Sequence, residues 1–223
     1  MGILLASLVL GAMPQEPQKF EEARFQGEVK IVRKVDYRYL VSKPEGYGRA
    51  RVPLLVFLHG AGERGSNLEA VAVHGPLKEI ANGRKLPFLV VAPQCPRGQW
   101  WEPEAVNALV ENVIRTYRVD RDRVYLTGLS MGGFGTWGAS SQRPDLYAAI
   151  LPICGGIDPD NVAPLTKMPI WTVHGDADTA VPITETIRAV DRLRELGANP
   201  RFDTIKGGGH DVWTDVYANE ETY

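Results

Sequence analysis

The chain has 223 residues, with 25 Lys plus Arg against 27 Asp plus Glu, and 44% of its residues are hydrophobic. These proportions are those of a globular protein, and they exclude collagen, coiled coil and long disorder. A formal net charge of -2 gives no electrostatic reason to expect nucleic acid as a partner. Two cysteines, Cys95 and Cys154, are too few for a disulfide framework or a metal cluster, so we expect buried free thiols.

The N-terminus carries a short apolar run at residues 3–12, which read ILLASLVLGA. A membrane-spanning helix needs about 20 apolar residues, so this run predicts no membrane span. It fits the hydrophobic region of a secretory signal, although no Lys or Arg precedes it. We therefore expect a signal peptide or disordered segment over residues 1–19, one domain over residues 20–223, and a secreted or periplasmic protein. The alternative is a cytoplasmic protein whose first residues form a trimmed start or a short helix on the body.

Strand-like and helix-like blocks alternate along the rest of the chain. Alternating or continuous apolar residues predict strands over 29–42 (an antiparallel hairpin or pair), 52–58, 88–92, 123–127, 148–154, 168–174 and 200–205. Helical spacing predicts helices over 68–81, 103–117, 131–142 and 182–196. Strands separated by helices indicate right-handed βαβ units and a mostly parallel sheet covered on both faces. No repeat or long linker divides this pattern, so we expect a single α/β domain.

A candidate nucleophile lies between a predicted strand and a predicted helix. Residues 128–132 read GLSMG, which matches the pattern G-x-S-x-G in the strand–turn–helix context that this pattern requires. A serine on such a sharp turn needs strained backbone angles and small neighbours, and the following helix N-terminus favours developing negative charge. The alternative is an ordinary glycine-rich turn. The strand before it, the helix after it and the third glycine, Gly133, argue against this alternative. Ser130 is therefore the candidate nucleophile.

A serine needs a base to activate it and a third group to orient that base. Asp176 and Asp178 follow one predicted strand, and His210 follows the last one. Serine, aspartate and histidine thus come in hydrolase order, each on a loop at the C-terminal end of a strand, and these ends share one edge of a parallel sheet. Either aspartate could be the acid. We favour Asp178, because the next helix begins soon after it at Pro182, while Asp176 lies closer to the strand and can tie the turn.

A fourth element is a site for the negative oxygen of a reaction intermediate. Residues 59–62 read HGAG and directly follow the predicted strand 52–58. In this class of fold, a loop at this place supplies a backbone N–H donor to the negative oxygen. We expect donors from Ala61 and from Met131, the residue after the serine. Losing one such donor costs about 2.7–4 kcal/mol of transition-state stabilisation.

A metal site is the alternative interpretation of the polar residues near these loops. It would use His174, Asp176, Asp178 and His210. No two of these histidines have the spacing of ligands on a helix or hairpin, so the sequence predicts no metal, and the chemistry needs no cofactor.

Four segments together carry a resemblance to a known family: HGAGERG (59–65), GLSMGG (128–133), HGDADTAVP (174–182) and GGGHDVW (207–213). The chain resembles the α/β-hydrolase superfamily from about residue 52 to 213, and most of all the compact serine esterases grouped with phospholipase/carboxylesterases and predicted peptidases. The link at residues 155–167 is too short for a cap domain. Only 13 residues follow His210, so either the closing helix of this family is short here or the sequence ends early.

The resemblance implies a serine carboxylesterase for short-chain or aryl esters, acting on small-molecule or polymer-linked substrates. Trp100, Trp101 and Trp213 are candidate walls of an open cleft, with core packing an equal alternative for the first two. Two other functions stay open. One is a serine peptidase with the same triad, and the other is a non-catalytic binding protein of the same fold, which would more often have lost a triad residue. The sequence does not indicate an oligomeric state.

Overall fold

A seven-stranded sheet forms the centre of the computed structural model, which describes residues 34–223 together with Arg24 and Val32. The predicted signal segment, residues 1–19, and residues 29–31 and 33 of the first predicted strand lie outside the described residues. The strands are β1 (Tyr39–Ser42), β2 (Val52–Leu58), β3 (Leu89–Pro93), β4 (Val119–Leu129), β5 (Ala149–Ile153), β6 (Trp171–Gly175) and β7 (Arg201–Ile205).

The topology of this sheet is that of a mostly parallel α/β fold. The spatial order of the strands is β1-β3-β2-β4-β5-β6-β7. β1 runs antiparallel to β3, and all the other neighbouring pairs are parallel. The predicted fold class, a mostly parallel sheet with an antiparallel N-terminal strand, is therefore confirmed. The C-terminal ends of β2, β4, β6 and β7 share one edge, which is where the candidate residues follow.

Helices cover both faces of the sheet and enclose two hydrophobic cores. They are α1 (Gly75–Ala81), α2 (Pro103–Thr116), α3 (Met131–Gln142), α4 (Thr184–Glu195) and α5 (Trp213–Ala218). β2 shows how the sheet separates the cores, because Leu54, Val56 and Leu58 enter the core beneath α2, α3 and α4. Leu55 and Phe57 enter the other core, beneath α1 and α5. Burial on both faces explains why β2 is a continuous apolar run rather than an alternating one.

The prediction of a single helix over residues 68–81 is wrong. The chain instead forms a 3-10 helix at Leu68–Ala72 and then α1. Gly75 begins α1 with a φ of 69°, and a Cβ at this position would lie 2.5 Å from the ring of Phe57. The break exists because the chain must pass over that buried ring, a contact that helical spacing alone does not reveal.

The absence of a cap domain between β5 and β6 is confirmed. This link contains only two short 3-10 helices, at Pro159–Asn161 and Ala163–Leu165. Helix α5, which follows the loop of His210, has six residues. Within residues 34–223, no helix combines the length and apolar character needed to cross a membrane.

Candidate active site

Ser130 occupies a strained turn between β4 and α3. Its φ of 52° and ψ of -120° are unusual for a residue with a side chain, and such backbone strain costs about 1–3 kcal/mol. Two hydrogen bonds hold the turn: the Ser130 N–H donates to the Ile153 carbonyl (2.9 Å), and its carbonyl accepts from the Phe134 N–H (3.1 Å). The neighbouring strand and the first turn of α3 together hold the serine in this conformation.

The glycines around Ser130 let three backbone segments meet. A Cβ at Gly132 would lie 1.9 Å from the carbonyl oxygen of Leu58, at the end of β2. A Cβ at Gly128 would lie 2.3 Å from the carbonyl oxygen of Gly132. A side chain at either position would therefore push β2, β4 and α3 apart. This close approach is the physical reason for small residues two positions before and after the serine.

His210 lies between Ser130 and Asp178 in a continuous chain of hydrogen bonds. Its Nε2 is 2.9 Å from Ser130 Oγ, and its Nδ1 is 2.6 Å from Asp178 Oδ2. The carboxylate accepts a hydrogen bond from Nδ1–H, which leaves Nε2 free to accept a hydrogen bond from the serine hydroxyl. The structure thus brings together three residues that are 80 and 32 positions apart in the sequence.

Asp178 is held as a buried carboxylate. Its side chain has no exposed surface, and Oδ1 accepts hydrogen bonds from the N–H groups of Ala180 (2.8 Å) and Val181 (2.9 Å). Burial raises the pKa of Asp178, but hydrogen bonds from His210 and these two amides outweigh burial, so the pKa is lowered overall. Asp178 is therefore ionised at neutral pH.

Asp176 has a different role in the same loop. It is exposed, and its Oδ1 accepts a hydrogen bond from the N–H of Gly207 at 2.6 Å. This bond ties the loop after β6 to the loop that carries His210. Of the two candidate acids, Asp178 contacts the histidine and Asp176 braces the turn.

A buried histidine, His59, holds the loop after β2 in place. The Nε2 of His59 accepts the N–H of Cys95 at 2.9 Å, so its Nδ1 carries the proton and donates to the Gly60 carbonyl at 2.6 Å. Burial lowers the pKa of His59, which keeps this ring neutral. The His59 carbonyl accepts the indole N–H of Trp101 at 3.0 Å. Both ring nitrogens and the carbonyl of His59 therefore help to hold the loop.

This loop lies against the serine. A Cβ at Gly60 would lie 3.7 Å from Ser130 Cβ, and Ala61 follows at the start of a 3-10 helix, Ala61–Glu63. Met131 is the first residue of α3, where backbone N–H groups have no partner within the helix. Of the two residues expected to donate to an oxyanion, Met131 is next to Ser130 in the chain. Ala61 belongs to the loop that lies against Ser130 in space.

The three tryptophans expected near the cleft occupy different environments. Trp213 contacts the ring of His210 edge-on, with 4.9 Å between ring centroids. Trp100 is 59% exposed and contacts Phe134 edge-on, while Trp101 is only 6% exposed. The burial of Trp101 and its bond to His59 give it a packing role behind the loop.

Sequence reasoning named His174 only as part of the alternative metal site and did not predict its contact with Asp178. The Nε2 of His174 is 3.2 Å from Asp178 Oδ2, and the side chain of His174 is fully buried. The available signal was its position, since it ends a predicted buried strand and begins the segment HGDADTAVP. A polar ring at such a place needs internal hydrogen-bond partners.

Cys154 joins His174 and Asp178 in the one group of side chains whose atoms are close enough to share a metal ion, among the residues described. The three ligand atoms lie within 4.8 Å of one another. Both Asp178 oxygens already accept hydrogen bonds within the protein. Burial raises the pKa of the Cys154 thiol to about 12, so the thiol itself is neutral. The cluster is therefore better described as a hydrogen-bonded network.

The strain at Ser130 predicts opposite effects for two substitutions. Ser130→Gly removes the side chain that makes this conformation costly, whereas Ser130→Ala keeps a Cβ there. Strain relief of about 1–3 kcal/mol exceeds the entropic cost of glycine, about 0.5–1 kcal/mol. The Gly variant should therefore be more stable than the Ala variant by about 1 kcal/mol in urea unfolding. Equal stabilities, or a more stable Ala variant, would contradict the strain.

Comparison with known proteins identifies a family and several similar proteins. A family described as Phospholipase/Carboxylesterase matches residues 102–219. Poly(3-hydroxyalkanoate) depolymerase C of Paucimonas lemoignei is 32% identical over 229 residues, covering 78% of this chain and 53% of that protein. The bifunctional acetylxylan esterase/xylanase XynS20E of Neocallimastix patriciarum is 33% identical over 137 residues, covering 56% of this chain and 19% of that protein.

A solved structure is also similar. The crystal structure of a thermostable esterase superposes with a TM-score of 0.73 at 32% identity, covering 84% of this chain and 58% of that one. The chain spans about half the length of the depolymerase and a smaller part of the bifunctional enzyme. The family match extends over more than half of the chain and includes Ser130, Asp178 and His210. The chain belongs to the phospholipase/carboxylesterase family.

Proposed function

We propose that the protein is a serine carboxylesterase in which Ser130 is the nucleophile, His210 the general base and Asp178 the orienting acid. The observation that carries this proposal is the unbroken chain of hydrogen bonds, 2.9 Å from Ser130 to His210 and 2.6 Å from His210 to Asp178. It begins on a strained turn at a helix N-terminus, the environment in which a serine attacks carbonyl carbon. Family membership supports the same reaction class.

The reaction forms and then hydrolyses an acyl-enzyme. Ser130 Oγ attacks the ester carbonyl carbon while His210 Nε2 takes the hydroxyl proton. The N–H groups of Ala61 and Met131 bind the negative oxygen of the tetrahedral intermediate. His210 then returns its proton to the leaving alcohol, and the C–O bond to that alcohol breaks. Water repeats the sequence on the acyl-enzyme, releases the acid and restores Ser130.

Asp178 supports these steps without exchanging a proton itself. Its ionised form keeps the proton of neutral His210 on Nδ1 and stabilises the imidazolium that forms during attack. The amides of Ala180 and Val181 hold the carboxylate in place, so little reorganisation is needed when the charge develops.

The surroundings of Ser130 favour short or aryl acyl groups, or ester groups attached to a polymer. The link between β5 and β6 contributes no lid, and Ser130, His210 and Trp100 all retain exposed surface. A cavity of about 520 Å³ lined by Ile150, Trp171 and neighbouring residues includes none of the three proposed catalytic side chains. Long acyl chains need a deep apolar pocket to leave water, so an open site should serve them poorly. The similar depolymerase and acetylxylan esterase are named for polymeric esters.

A fluorophosphonate probe tests the assignment of the nucleophile. Wild-type protein should be labelled once, at Ser130, and Ser130→Ala should lose the label together with about 10³-fold or more of kcat. Ser141→Ala is the matched control on the same helix and should keep both, because the Ser141 hydroxyl donates to the Asn161 carbonyl. Stoichiometric labelling of a different serine would overturn the proposal.

The open site predicts a preference for short acyl chains. Among p-nitrophenyl esters, kcat/KM should be highest from acetate to butyrate and lowest for palmitate, and methyl ferulate should also be hydrolysed. Activity on a long-chain ester should not jump when the substrate forms micelles. Such a jump combined with poor turnover of acetate would contradict the open site, and faster cleavage of aminoacyl anilides than of esters would favour a peptidase.

A further inference from the structure

Two histidines contact the same oxygen of Asp178. Oδ2 lies 2.6 Å from Nδ1 of His210 and 3.2 Å from Nε2 of His174. The proposed mechanism uses the first contact only. His174 is fully buried, so the protons on its ring must be matched by groups of the protein rather than by solvent.

The hydrogen bonds on one side of His174 require a proton on Nδ1. Thr186 Oγ1 is 2.5 Å from the carbonyl oxygen of Gly155 and 2.7 Å from His174 Nδ1. A carbonyl cannot donate, so the single hydroxyl proton of Thr186 lies in the bond to Gly155. The remaining bond, between Thr186 and the ring, must then be donated by Nδ1.

The other side of the ring requires a proton on Nε2. This atom is 2.9 Å from the carbonyl oxygen of Val181 and 3.2 Å from the carboxylate of Asp178. A carbonyl and an ionised carboxylate are both acceptors only. An unprotonated Nε2 would place its lone pair against two oxygens in a buried site, which is costly.

We propose that His174 is a buried imidazolium that shares Asp178 with His210 and acts as a positioning residue for the base. This inference rests on the proposed esterase function. The sequence of donors runs from His174 through Thr186 to the Gly155 carbonyl on one side, and to Val181 and Asp178 on the other. The buried positive charge is paired with the buried carboxylate, the arrangement that such charges need.

Among the residues that the structure describes, few other titratable groups face this pair. Cys154, at the end of β5, has a thiol that burial keeps neutral, because its pKa is raised to about 12. Helix α4 contributes Thr186, which does not titrate, and the loop of His210 contributes Asp211, which is exposed. Asp178 is therefore the charged group in direct contact with His174.

The charge on His174 has a consequence for catalysis. It offsets part of the negative charge of Asp178, so a proton is held less strongly on His210. The acid limb of kcat/KM should accordingly lie lower in the wild type than in a variant whose residue 174 is uncharged.

Nuclear magnetic resonance of ¹⁵N-labelled wild-type protein tests the protonation directly. Long-range ¹H–¹⁵N correlation at pH 7 should show both ring nitrogens of His174 protonated, with both N–H protons in slow exchange. His210 should show one protonated nitrogen under the same conditions. A His174 ring with one unprotonated nitrogen would overturn the proposal, and this result needs no variant and no activity.

The pH profile tests the consequence. His174→Gln can still donate towards Val181 but carries no charge, so the acid limb of kcat/KM should move up by about one pH unit. KM at the optimum should stay near the wild-type value, because His174 does not touch the substrate. A residue needed only for folding would lower the amount of active enzyme without moving this limb.

Two substitutions of Thr186 provide matched controls. Thr186→Val removes the acceptor of the Nδ1 proton at nearly constant volume, and it should shift the acid limb in the same direction. Thr186→Ser keeps the hydroxyl and should restore the wild-type profile. An unchanged limb in both His174→Gln and Thr186→Val would contradict the proposal. Failure of the probe to label Ser130 would instead remove the proposed function, while the magnetic resonance result would still decide the state of His174.

Discussion

The close approach of three backbones at the end of β4 is the constraint on which the rest of the site depends. Gly128 and Gly132 allow β2, β4 and α3 to meet at distances that leave no room for a side chain. The chain must then turn sharply at Ser130, and the turn is strained. The serine consequently projects at the sheet edge where the loops of Asp178 and His210 also arrive. Displacing any of the three backbones would separate the nucleophile from its base.

The electrostatics of the site depend on one buried carboxylate, that of Asp178. Asp178 has no exposed side-chain surface, yet two amides and two imidazoles surround its oxygens. Burial alone would favour a neutral acid, and the hydrogen bonds from His210 and from the amides of Ala180 and Val181 reverse that preference. A dry, fixed carboxylate interacts with a developing imidazolium more strongly than a solvated one. The buried His174 belongs to the same network, and its charge would moderate this interaction.

Patterns local in sequence predicted most of the fold and the proposed catalytic residues. The apolar runs located the strands, and the G-x-S-x-G turn with the later Asp and His located the loops that meet. Contacts between distant segments were not predictable in this way. The ring of Phe57 breaks the helix expected through Gly75, and the indole of Trp101 donates to the His59 carbonyl, which lies 42 residues earlier in the chain. The partners of His174 were missed for the same reason, since they come from different elements.

The most direct test of the proposed site compares two aspartates that are two residues apart. Asp178→Asn and Asp176→Asn change the same loop by the same atoms, but only Asp178 contacts His210. With both variants folded as judged by circular dichroism, Asp178→Asn should lower kcat for p-nitrophenyl butyrate by about 10³- to 10⁴-fold, because the base loses its correct tautomer. Asp176→Asn should retain most of the wild-type kcat. Equal losses, or a larger loss at Asp176, would contradict the assignment of the acid and with it the proposed geometry of the base.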